Sequence, residues 1–97
     1  MAASTGGICC FAVRGPLVRR DLPGLCARVC LLLAQARPRI VLCDVAALAP
    51  EAVAVEALAS LQLAAIRHDT HIVLLGAAPG LRELLRLVGL DDALPDA

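Results

Sequence analysis

Several residue types are scarce or missing in this 97-residue chain. There is no Trp or Tyr and only one Phe, Phe11. Stacking of bases on aromatic platforms is therefore nearly excluded, which argues against the common single-strand nucleic-acid modules. Lys is absent: all nine basic residues are Arg, so no lysine-based mechanism is available. Nine acidic residues balance them to a net charge of zero, which leaves no basic footprint for DNA or an anionic membrane surface. Hydroxyls are limited to Ser4, Thr5, Ser60 and Thr70. Hydrophobic residues reach 60%, yet the uninterrupted apolar runs are short, as in "VCLLLA" and "IVLLGAA". Neither approaches the roughly 18 residues a membrane helix needs. The start, "MAASTGG", lacks a basic segment followed by an apolar one, so no signal peptide is expected. These absences predict a soluble, cytoplasmic protein with no membrane span and no nucleic-acid partner.

Cysteine is present, at positions 9, 10, 26, 30 and 43. An odd count without a secretory signal argues against a disulfide framework. Cys26 and Cys30 share a helix face, but a metal site needs further ligands, and His68 and His71 are distant in sequence. The cysteines are expected to be small buried hydrophobes.

Three apolar runs predict strands: Ile8–Val13, Arg39–Val45 and His71–Ala77. Continuous apolar character of this length suits strands buried on both faces. Helical patterns lie between and after them. Asp21 is a candidate cap for a first helix with Pro23 in its opening turn. Its inner stripe is Leu22, Leu25, Cys26, Val29, Leu32 and Leu33. A second helix is expected from Pro50 to Arg67, with Ala54, Ala57, Leu58, Leu61 and Ala65 inward. Pro50 and Glu51 suit its start, Pro by its fixed φ and Glu by its charge near the positive helix end. A third, "PGLRELLRLVG", turns Leu81, Leu84, Leu85 and Val88 inward and stops at Gly89. Leu90 and Leu94 of the closing "LDDALPDA" are expected to tuck back. Strand–helix alternation of this kind implies an α/β fold with a mainly parallel sheet and right-handed crossovers.

The segments "IVLCDVAAL", "EALASLQLAAIR" and "HIVLLGAAPGLRELLRLVGLDDAL" resemble the STAS family, the domain of sulfate transporters and anti-sigma factor antagonists. The last stretch is the most specific: a strand, a small-residue and Pro turn, an "LRELL"-type helix and a "GLDD" tail follow in order. "FAVRGPLVRRDLPGLCARVCLLL" resembles the family's edge strand, turn and first helix. The resemblance implies a STAS-like α/β fold with a sheet of 3–5 strands and about 3–4 helices. It implies a single domain over residues 8–95, preceded by a flexible tail at residues 1–7 with little chain for an extra strand. It further implies a non-enzymatic protein that binds partners and needs no cofactor. In anti-sigma antagonists an Asp-Ser-Ser-Gly motif opens the second helix, and phosphorylation of a Ser there abolishes binding. Here those positions fall at Glu51, Ala52, Val53 and Ala54, which carry no hydroxyl. A phosphorylation switch is therefore not expected.

Partner contacts are expected at Glu51, Ala52, Val53, Val55, Glu56, Ser60 and Leu63, the start and outer face of the second helix. The implied partner is a kinase-type anti-sigma factor. The alternative is the ATPase of an ABC transporter, docked by the chain as an accessory subunit. A homodimer is a further expected option.

The remaining features favour structural roles. Asp44 is expected to cap the turn after its strand. His68, Asp69 and His71 lack metal-ligand spacing and are expected in a solvated loop. "GAAPG" lacks the patterns of phosphate-binding loops. No nucleophile–base pair supports an enzyme.

Overall fold

The structure, a computed structural model, describes residues 3–5 and 7–97. The chain runs β1 (Ala3–Thr5), β2 (Ile8–Ala12), α1 (Leu22–Ala36), β3 (Ile40–Asp44), α2 (Ala52–Arg67), β4 (His71–Leu75) and α3 (Pro79–Leu87). A single 3-10 turn, Arg19–Asp21, leads into α1. The strands form one sheet in the order β1-β2-β3-β4. β2, β3 and β4 are parallel, in a register that aligns Cys9, Val41 and Ile72, then Phe11, Cys43 and Leu74. The α/β, STAS-like architecture expected from the sequence is the one observed.

Two consecutive crossovers, β2-α1-β3 and β3-α2-β4, step across the sheet in the same direction. Right-handed connections then place both helices on the same face. α3 packs beside α2, so all three helices share that face. Cys9, Phe11, Val13, Val41, Cys43, Val45, Ile72 and Leu74 point into the resulting core. There they meet Leu25, Val29 and Leu33 of α1, Leu58 and Leu61 of α2, and Leu81 and Leu85 of α3. Each fully buried leucine stabilises the fold by roughly 1.5–3 kcal/mol relative to exposure.

The expectation of strands buried on both faces is corrected. Burial alternates along every parallel strand. Ile8, Cys10, Ile40, Leu42, Val73 and Leu75 occupy the second face, over which none of the helices packs. The physical reason is topological: two same-direction crossovers leave no connecting helix for the other side.

The tail expected at residues 1–7 is also corrected. Ala3–Thr5 pair antiparallel with β2, Thr5 opposite Ile8. Gly7, at φ 87°, takes the left-handed conformation that such a tight reversal requires. Met1, Ala2 and Gly6 lie outside the described residues.

The chain end does more than tuck back. Leu94 is fully buried. The Leu74 amide donates to the Pro95 carbonyl at 2.8 Å, and the Ala97 amide donates to the Leu74 carbonyl at 2.8 Å. Residues 95–97 therefore follow the outer edge of β4 and occupy part of its hydrogen-bonding row. Arg82 secures this segment by donating to the Leu94 carbonyl at 2.8 Å and to the Asp96 carboxylate.

Two local expectations differ as well. Asp21 does not cap α1 with its side chain; its carboxylate accepts the Val18 amide at 3.0 Å and closes the 3-10 turn instead. Val88, expected inward, is 57% exposed, because α3 packs through Leu81 and Leu85.

Candidate functional site

Asp44 closes β3, and its Oδ1 accepts the Ala46 amide at 3.0 Å. It thereby caps the turn that leads to α2, the role expected for it. Leu48 anchors that turn in the core. Gly76, at φ 71°, lies against it from the end of β4: a Cβ there would approach the Ala46 Cβ to 2.9 Å. Gly80 approaches Pro50 in the same way. The starts of α2 and α3 are thus held close together at the carboxyl end of the sheet.

α2 starts at Ala52 with Glu51 as its N-cap residue, extended at φ −129° and ψ 162°. Glu51 is exposed, and its side chain makes no capping hydrogen bond. Its main chain is engaged: the carbonyl accepts the Val55 amide at 3.2 Å. No hydroxyl stands at this helix start.

Ala52, Val55 and Glu56 form one wall of a groove, and Leu84, Leu87 and Val88 of α3 form the other. The groove encloses 330 Å³ and is almost entirely apolar apart from Glu56 at its edge. Leu87 is 74% exposed, more than any other large hydrophobic residue described. The helical period places Leu63 and Ile66 on the same stripe of α2 as Ala52, Val55 and Glu56. Both are exposed, so the apolar surface continues two to three turns along α2.

Of the residues expected to contact a partner, the groove brings together Ala52, Val55 and Glu56. Glu51 stands at its entrance and Leu63 on its continuation. Val53 is half-buried and outside the groove lining, and Ser60 is half-buried at the margin of the stripe. Glu56 also pairs with Arg19 at 3.0 Å. This exposed pair ties the 3-10 turn to α2 and contributes little stability.

The α3 wall was not foreseen. The helical period expects Leu84 and Val88 in the core and gives Leu87 no role. The signal was available: "LRELLRLV" carries more apolar residues than one inward stripe can absorb.

Thr70 is buried, and its hydroxyl donates to the Pro38 carbonyl at 2.8 Å, joining the loops before β3 and β4. His68, Asp69 and His71 lie at the amino end of the parallel strands, opposite the groove's helix starts. Among the described residues no three His, Cys, Asp or Glu side chains converge as metal ligands do. Cys43 is fully buried. Burial, reinforced by the neighbouring Asp44 charge and by Cys10, pushes its thiol up to about 12, so it is a poor nucleophile near neutrality. None of the helices among the described residues is long and apolar enough to cross a membrane.

No family model matches the sequence, and no curated protein does. Among solved structures the fold is similar to that of a sulfate transporter family protein from Wolinella succinogenes. The TM-score is 0.68 at 21% identity, over 96% of this chain and 75% of that one. This likeness supports the fold.

Proposed function

We propose that this chain is a non-enzymatic regulatory domain that docks a protein partner in the groove between α2 and α3. The partner is a kinase-type anti-sigma factor. The observation that carries the reading is the apolar groove at the start of α2, walled by Leu84, Leu87 and Val88. An exposed leucine beside a concave apolar surface is the kind of feature that anchors protein interfaces. The resemblance of the sequence to anti-sigma antagonists supports the choice of partner. Glu51, Ala52 and Val53 occupy the helix start without a hydroxyl. Binding is therefore governed by the amounts of the two proteins or by the state of the partner, and not by phosphorylation of this chain at that helix start.

The test begins with recovery of the tagged protein from its native cells at native expression. Any recovered anti-sigma factor is then purified and titrated against the wild type, Leu87→Asp, Leu63→Asp and Glu56→Arg. The expected outcome is direct binding that Leu87→Asp weakens most, by roughly 2 kcal/mol or more, as for a central anchor. Recovery of a transporter ATPase from the membrane fraction, with the same sensitivity to Leu87→Asp, would replace the anti-sigma reading by that of an accessory subunit. A partner bound equally well by all three variants would remove the groove from consideration.

A further inference from the structure

A second concavity lies away from the groove, where β2 ends and α1 begins. It encloses 340 Å³. Arg14, from the loop after β2, Arg20, from the 3-10 turn, and Arg28, from the second turn of α1, all line it. Buried Val13 and Leu25 supply apolar lining. We infer that this concavity binds a dianionic phosphate group.

The charge balance is the first argument. Among the described residues Arg14, Arg20 and Arg28, like Arg37, Arg39 and Arg67, pair with no carboxylate, and these three line the same concavity. Asp21 is the one acidic residue lining the concavity, and its carboxylate is engaged by the Val18 amide. Three arginines, set against one aspartate, thus line one concavity in a chain whose net charge is zero. Their mutual repulsion costs free energy that a bound dianion would relieve. Guanidinium groups present planar pairs of donors that match the oxygens of phosphate.

The shape of the wall is the second argument. Gly24 is exposed on it, and a Cβ at that position would meet only Arg28, with Nη1 at 3.9 Å. The Arg28 guanidinium therefore lies beside the opening turn of α1, on a residue that remains exposed. The volume falls within the range of small-molecule sites, leaving room for a phosphate ester as well as for free phosphate.

The test is titration of the full chain at low ionic strength with inorganic phosphate and, separately, with glycerol 3-phosphate. Binding is followed by NMR at the Gly24 amide and the arginine Nε–H groups. Saturable shifts at Gly24, Arg20 and Arg28 are expected with at least one probe. Tighter binding of glycerol 3-phosphate would identify an ester as the source, and equal or tighter binding of inorganic phosphate would identify the free ion. Arg20→Gln combined with Arg28→Gln should weaken binding about tenfold or more, while Arg67→Gln, at the far end of α2, leaves it unchanged. Should the double variant lose its dispersed spectrum, Arg14→Gln alone carries the comparison. The inference is overturned if neither probe saturates by roughly 10 mM. It is overturned equally if chloride produces the same shifts, or if the folded arginine variants bind like the wild type.

Discussion

The two faces of the sheet are built from nearly the same chemistry and meet opposite fates. One presents Cys9, Phe11, Val41, Cys43, Ile72 and Leu74, nearly all sealed beneath three helices. The other presents Ile8, Cys10, Ile40, Leu42, Val73 and Leu75, and is left half-buried or exposed, with Ile8 at 42%. Hydrophobicity alone therefore does not decide which face is the core. Helix placement does, and helix placement follows from strand order and crossover hand.

Neighbouring residues on β4 give the sharpest contrast. Leu74→Ala removes a fully buried side chain and should cost about 2–5 kcal/mol. Val73→Ala, one residue away on the open face, should cost less than about 1.5 kcal/mol. Chemical denaturation of both variants checks this, and equal losses would mean that the second face is covered in solution.

Alkaline titration probes the sealed face from another direction. The Cys43 thiol is pushed up to about 12 in the fold, against an ordinary value of 9.0. Above pH 9 the unfolded chain releases this proton while the folded one retains it, so stability should fall as pH rises from about 9 to about 12. Below that window the contribution is fully present. Cys43→Ala should flatten the decline, at the cost of a small cavity, and denaturation midpoints measured across the window would show it.

A gentler probe is Leu42→Thr on the open face, expected to cost about 1 kcal/mol and to leave the unfolding transition cooperative. Thiol labelling should show the same ordering without perturbing the fold. In the native state Cys10, half-buried on the open face, should react well before Cys9 and Cys43, which are fully buried. Mass spectrometry of partially labelled protein resolves the sites, and similar rates at all three would contradict the contrast.

Much of this architecture was legible because it rests on local rules. The positions of α1, α2, α3 and the three parallel strands follow from apolar period and from Pro and Gly punctuation. Asp44 capping its own turn follows from side-chain reach. The candidate groove was half legible. Ala52, Val55, Glu56 and Leu63 are readable from the outer stripe of α2, but the facing wall on α3 is not. Leu84 and Val88 fit an inward stripe as well as an outward one, and only the packing of α3 on the core through Leu81 and Leu85 chose between them. The three-arginine concavity gave no sequence signal, since Arg14, Arg20 and Arg28 belong to three different local structures.

The sequence by itself determined the element types, their order, the α/β class and the absence of a hydroxyl at the start of α2. Each depends on residues within a few positions of one another, where side-chain period and backbone preference act directly. Only the tertiary structure decided which sheet face is sealed, that Ala3–Thr5 pair with β2, that residues 95–97 follow the β4 edge, and which α3 residues wall the groove. Those outcomes depend on pairing and packing between segments far apart in the chain, and local preference is nearly indifferent among the alternatives.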